Sequence, residues 1–143
     1  MEYSILAQLS DAGLETKANL FCGHEFEEQE GGSQVVITCF GGVEMVFNSG
    51  NWRLRTRLSI RSAADKPLNE TQAPDPREVH RELVQLVREA IFTEAIAAEL
   101  TAHETDFTCE GVYPAESDSS VDGRYLVTVI DLEIDCIRAD FED

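Results

Sequence analysis

The alternation of apolar and polar residues is clearest over residues 52–62. Trp52, Leu54, Thr56, Leu58 and Ile60 fall on one side of an extended chain, and Arg53, Arg55, Arg57, Ser59 and Arg61 on the other, because successive strand side chains point to opposite faces. Residues 124–139 repeat the period. Leu126, Thr128, Ile130, Leu132, Ile134 and Cys136 oppose Tyr125, Val127, Val129, Asp131, Glu133 and Asp135. The β-branched run QVVITCF (34–40) predicts another strand, with Val43–Phe47 a short further one and 107–113 a weaker one. Gly41-Gly42 and Asn48–Asn51 read as the turns between them. Over 76–92 the period becomes helical, gathering Val79, Leu83, Leu86, Val87, Ala90 and Ile91 on one face. Asp75 supplies an N-cap and Pro76 the first helical position. A second helical stretch covers 94–102. Residues 2–12 predict an N-terminal helix through Ile5, Leu6 and Leu9, stopped at Gly13.

Polar, Gly- or Pro-containing segments at 24–34, 63–75 and 114–123 read as loops, and the acidic residues 140–143 as a loose tail. The order is helix, three strands, long helix, two strands. It predicts an α+β fold: a mostly antiparallel sheet of about four to five strands, with one long helix and an N-terminal helix packed on it. The 143 residues fit a single domain, 1–143. The opening MEYSILAQLSDAG has no basic n-region followed by an apolar core, so no secretory signal is expected. No apolar run approaches the roughly 20 residues that span a bilayer, so no membrane partner is expected either.

Charge changes the picture. The chain has 28 Asp and Glu against 11 Lys and Arg, a formal net charge of −17. Such a surface as a whole disfavours nucleic acid, which is bound through clustered cations. The acidity either keeps the protein soluble or presents a surface that DNA passes without adhering. Four of the scarce cations, Arg53, Arg55, Arg57 and Arg61, share one strand face, and Asp131, Glu133 and Asp135 share one face of the last strand. If these strands are antiparallel neighbours, the two rows interleave on one sheet face as cross-strand ion pairs. They could equally meet across a subunit boundary, where the planar guanidinium grips carboxylates in bidentate fashion. A phosphate site is the third reading.

Candidate chemistry is sparse. Cys22, Cys39, Cys109 and Cys136 are far apart in sequence without a C-x-x-C pair, and are expected as buried thiols rather than as a disulfide or metal site. His24, His80 and His103 are dispersed, and His80, beside Arg77 and Arg81, is expected at the surface. No metalloprotease, nucleophile-elbow, P-loop or dinucleotide-binding pattern occurs. Asp131, Glu133 and Asp135 are spaced about 7 Å apart along a strand, too far to close on one ion. The DSSVD stretch at 118–122 lacks the spacing and terminal Glu of a calcium loop. No catalytic residue, cofactor or metal is therefore assigned, and the chain is expected not to be an enzyme.

The succession RLRTRLSIRSAAD, a Pro-containing loop, HRELVQLVREAIF leading into AIAAEL, then DFTCEGVYP and VDGRYLVTVIDLEIDC resembles bacteriophage tail-terminator or tail-completion proteins of the head–tail connector region. The likeness spans about two thirds of the chain and lies in pattern and element order; residues 1–51 fall largely outside it. It implies a homo-oligomeric ring, commonly a hexamer, that caps the tail tube and joins it to the neck. The implied partners are further copies of the chain, the major tail tube protein, a neck or head-completion protein, and DNA passing through the lumen without specific binding. The implied location is the virion tail or neck, after synthesis in the host cytoplasm. An acidic lumen suits such a conduit, and complementary charge fixes register in a closing head-to-tail ring. Two other readings stand beside it: another connector or minor tail protein, and an acidic DNA mimic that inhibits a DNA-binding protein.

Overall fold

The two strongest alternations become adjacent strands in the middle of the sheet. The computed structural model describes residues 1–23, 32–45, 50–64, 75–104 and 107–138, with Glu116 by its backbone alone. In chain order these form α1 (Glu2–Asp11), a short 3-10 turn (Leu14–Thr16), β1 (Asn19–Cys22), β2 (Gln34–Glu44), β3 (Asn51–Ala63), α2 (Pro76–Ile91), α3 (Ile96–His103), β4 (Phe107–Asp122) and β5 (Tyr125–Arg138). The fold is α+β. Among the described residues five strands make one sheet in the order β1-β2-β3-β5-β4, antiparallel except for the β1–β2 pair.

The helices lie over one sheet face, α1 against β1 and β2, α2 against β3 and β5, and α3 against β4. Between the layers Leu58, Ile60, Ile130, Leu132 and Ile134 of the central strands meet Ile5 and Leu9 of α1, Leu83, Val87 and Ile91 of α2, and Leu100 of α3, all buried. Asp75 caps α2 as its spacing predicts: its Oδ1 accepts from the Arg77 backbone N–H at 3.0 Å, with Pro76 in the first turn. Val79, assigned to the apolar face of that helix, is 37% exposed. It lies in the first turn, near the helix N-terminus.

Thr56 sits on the apolar face of β3 with no exposure, and its hydroxyl meets no hydrogen-bond partner among the described residues. A buried, unpaired hydroxyl costs about 1–3 kcal/mol. Thr56→Val keeps the shape and removes that cost. It should stabilise the fold by about 1 kcal/mol in urea unfolding; a destabilised variant would show that the hydroxyl is satisfied.

Two expectations need correction. Residues 114–123 are not a loop: β4 runs unbroken through Asp122 and pairs with β5 up to the turn, where Gly123 takes φ +58°. The segment is polar because it forms an edge strand with exposed side chains, a position that also admits Pro114. Gly41-Gly42 is likewise not a turn. β2 continues through it, with Phe40 as an extra residue between Cys39, opposite Thr56, and Gly41, opposite Arg55. Gly42 lies against Leu54, whose Cδ2 would stand 2.8 Å from an added Cβ, so only glycine fits without displacement. Asn19–Cys22, just before the acidic 24–34 segment, forms β1, parallel to β2, a strand that the local pattern does not predict. Gln34 opens β2, as the run 34–40 predicts. Residues 24–31, 46–49, 65–74 and 139–143, with the loop, turn and tail readings and His24 that fall on them, lie outside the described residues.

Candidate functional site

The register between β3 and β5 sets Arg53 opposite Asp135, Arg55 opposite Glu133 and Arg57 opposite Asp131. This follows from the apolar alternation, because a one-residue slip would turn Leu54, Leu58, Ile130 and Ile134 away from the core. Two of the three cross-strand pairs close as bidentate ion pairs. Arg53 donates from Nε to Asp135 Oδ1 at 2.8 Å and from Nη2 to Oδ2 at 3.3 Å. Arg57 donates from Nε to Asp131 Oδ1 at 2.8 Å and from Nη2 to Oδ2 at 3.1 Å. Arg53 Nη1 also approaches Glu133 Oε2 at 3.6 Å. The hydrogen bond to Asp135 and the charge of that carboxylate hold the Arg53 pKa above its ordinary value.

Arg61 differs from the others. Its β5 neighbour is Val127, and its guanidinium lies over the Tyr125 ring at 4.7 Å, with Asp122 Oδ2 at 4.0 Å. Arg57 is also 5.3 Å from the centre of the Phe40 ring. Arg55 makes no ion pair among the described residues, because Glu133 leans toward Arg53. Arg55 instead lines a depression of about 450 Å³ together with Phe40, Ala115 and Glu133. Phe40, Tyr113 and Val43 stand exposed in the neighbouring rows of this face, Tyr113 opposite Glu133 and Val43 opposite Arg53. All seven predicted residues thus share one face. Arg53, Arg57, Asp131 and Asp135 are spent on pairs within the chain, and Arg55 remains available.

No family model matches the chain, and no curated protein matches it in sequence.

On the opposite, helix-covered face, sequence reasoning missed two clusters. Cys109 and Cys136 are cross-strand partners with sulfurs 3.7 Å apart, both buried thiols. Their hydrogen bond, with burial, pushes the Cys136 thiol well above its ordinary range. Nothing in a separation of 27 residues signals this contact; only the β4–β5 register creates it. His80, expected at the surface, is half-buried between α2 and the sheet. Its Nδ1 is 2.7 Å from Ser62 Oγ and its Nε2 2.8 Å from Thr128 Oγ1, which in turn is 3.0 Å from Ser119 Oγ. Among the described residues no group of three or more His, Cys, Asp or Glu side chains is gathered to hold a metal. No helix among them is long and apolar enough to cross a membrane.

Burial lowers the His80 pKa below its ordinary 6.5. The unfolded chain therefore takes up a proton near pH 6.5 that the folded chain resists. The neutral-ring contribution is fully present above that pH and is lost as pH falls toward the lower folded value. His80→Gln, which keeps a polar side chain, should flatten the fall in Tm between about pH 7 and pH 5. Parallel wild-type and variant pH profiles would contradict this assignment.

Proposed function

We propose that this chain is a non-enzymatic virion subunit, a tail terminator that closes into a ring, caps the tail tube and forms the joint to the neck. The reading starts from the likeness in element order. The likeness runs through RLRTRLSIRSAAD, HRELVQLVREAIF, AIAAEL, DFTCEGVYP and VDGRYLVTVIDLEIDC, which contribute to β3, α2, α3, β4 and β5. The observation that carries it furthest is the open sheet face. There an arginine without an ion-pair partner among the described residues sits among Phe40, Val43 and Tyr113, with exposures of 50, 63 and 51%. Clustered exposed aromatic residues beside Arg are the composition of interface cores.

The sheet edges support a head-to-tail contact. Among the described residues one edge is the four-residue β1 and the other the sixteen-residue β4, so a second copy meets two unlike surfaces. Heterologous contacts of this kind build rings when the rotation closes. A net charge of −17 would line such a ring with potential that repels passing DNA phosphates. The DNA-mimic reading loses ground here, because Asp131 and Asp135 are neutralised by Arg57 and Arg53 and are poor stand-ins for free phosphates.

Under this reading the partners are other copies of the chain, six to a ring, the tail tube protein and a neck or head-completion protein, in the tail or neck of the virion. The test is to add the purified protein to polymerising tail tube protein and view the tubes by negative-stain electron microscopy. Tubes should stop growing and carry a ring at one end. Tubes of unchanged length with bare ends would sink the proposal.

A further inference from the structure

A second concentration of positive charge lies on the helix side of the sheet. On α2, Arg77, Arg81, Val84 and Arg88 recur at intervals of four, three and four residues. At 3.6 residues per turn they fall within about 60° of arc. The carboxylates of the same helix, Glu78, Glu82 and Glu89, sit about 60° to 100° round from Arg81, the near edge of that stripe. Helices commonly offset charge with opposite partners three or four residues apart. Here Arg77 and Arg81 are like charges at that spacing, and none of the three arginines has an ion pair among the described residues.

The stripe faces the distal half of the β4–β5 hairpin across a groove of about 440 Å³. Arg88 Nη2 donates to Ser117 Oγ at 3.0 Å across it. The hairpin wall presents Ser117, Ser119, Leu126 and Thr128, and Val121, 68% exposed, stands at the mouth. The chain of contacts from Ser62 through His80 and Thr128 to Ser119 ties α2 to the hairpin at the floor of the groove. Among the described residues no carboxylate lines it, in a chain where Asp and Glu outnumber Lys and Arg 28 to 11.

Shape and charge select the ligand class. Arg77 and Arg88 are eleven helical residues apart, about 16 Å, so one phosphate cannot reach both. That span matches about five residues of extended peptide. Val84 and Leu126 offer apolar surface between the cations, which suits a peptide side chain better than a bare polyanion.

We propose that the groove between α2 and the β4–β5 hairpin binds an extended acidic peptide segment, its carboxylates on Arg77, Arg81 and Arg88 and an apolar side chain over Val84 and Leu126. The site lies on the opposite face from the proposed subunit contact and stands or falls independently of it.

Fluorescence anisotropy with the labelled pentapeptide Asp-Glu-Phe-Asp-Glu tests this on the full chain. The neutral Asn-Gln-Phe-Asn-Gln peptide and a short oligothymidylate serve as comparators. The acidic peptide should bind, the neutral one at least about tenfold more weakly, and affinity should fall steeply between about 50 mM and about 500 mM salt. Arg77→Glu/Arg81→Glu should weaken binding about tenfold or more while leaving the circular dichroism spectrum and Tm unchanged, and Arg77→Lys/Arg81→Lys should restore most of it. Equal binding of the acidic and neutral peptides, indifference to salt, or tighter binding of the oligothymidylate would each overturn the proposal. The salt series on the unaltered chain decides the matter even if a double variant fails to fold.

Discussion

Ile134→Ala should lower the unfolding free energy by about 2–5 kcal/mol, the range for deleting a fully buried aliphatic side chain and leaving a cavity. Ile134 has no exposure and lies on β5 between Leu54 of β3 and Val112 of β4, beneath the helices. Against a typical total of about 5–15 kcal/mol, the variant would be marginal. Urea unfolding followed through Trp52, the only tryptophan, reads the loss directly. Arg57→Ala on the other face should cost far less, about 0–1 kcal/mol, since that side chain is half exposed and its ion pair is open to solvent and salt. The comparison ranks the two contributions. The apolar floor of β3 and β5 holds the sheet, and the charged rows set register and surface character. A loss for Ile134→Ala no larger than that for Arg57→Ala would contradict this ranking.

The ladder was legible because strand alternation is a strict two-residue period. Once Leu54, Leu58, Ile130 and Ile134 face the core, Arg53, Arg57, Asp131 and Asp135 have no freedom to face elsewhere. The α2 boundary was legible for a similarly local reason, the Asp75 cap with Pro76 after it. Non-local pairing was not legible. The ESDSSVD stretch has loop composition, yet its last residue forms with the next the Asp122-Gly123 pair, a strong hairpin signal, and read that way it extends β4 across the segment. Missing that strand hid a wall of the groove facing Arg77, Arg81 and Arg88, although their spacing on one helix face was already in the sequence. The parallel β1, the bulge at Phe40 and the Cys109–Cys136 contact come from tertiary register, which local pattern does not encode.

The second large effect concerns assembly. Arg53 and Arg57 are held within the chain, so Arg55 and the exposed Phe40 beside it are the groups free to engage another copy. Phe40→Asp/Arg55→Glu should weaken self-association by about a hundredfold or more, as loss of an aromatic and an arginine anchor does at an interface centre. Tm at a concentration where both proteins are monomeric should change little, because both side chains are exposed. Sedimentation velocity across a dilution series separates the two effects. Unaltered association in this variant would remove the open face from the interface and leave the ring, if one forms, to be built on other surfaces.

Native mass spectrometry of the unaltered protein tests the central claim most directly. The account predicts a discrete closed species at six times the 15.9 kDa chain mass, dissociating to monomer only on dilution or with the Phe40→Asp/Arg55→Glu variant. A 15.9 kDa monomer at every concentration, or an open ladder of masses without a closed endpoint, would contradict it.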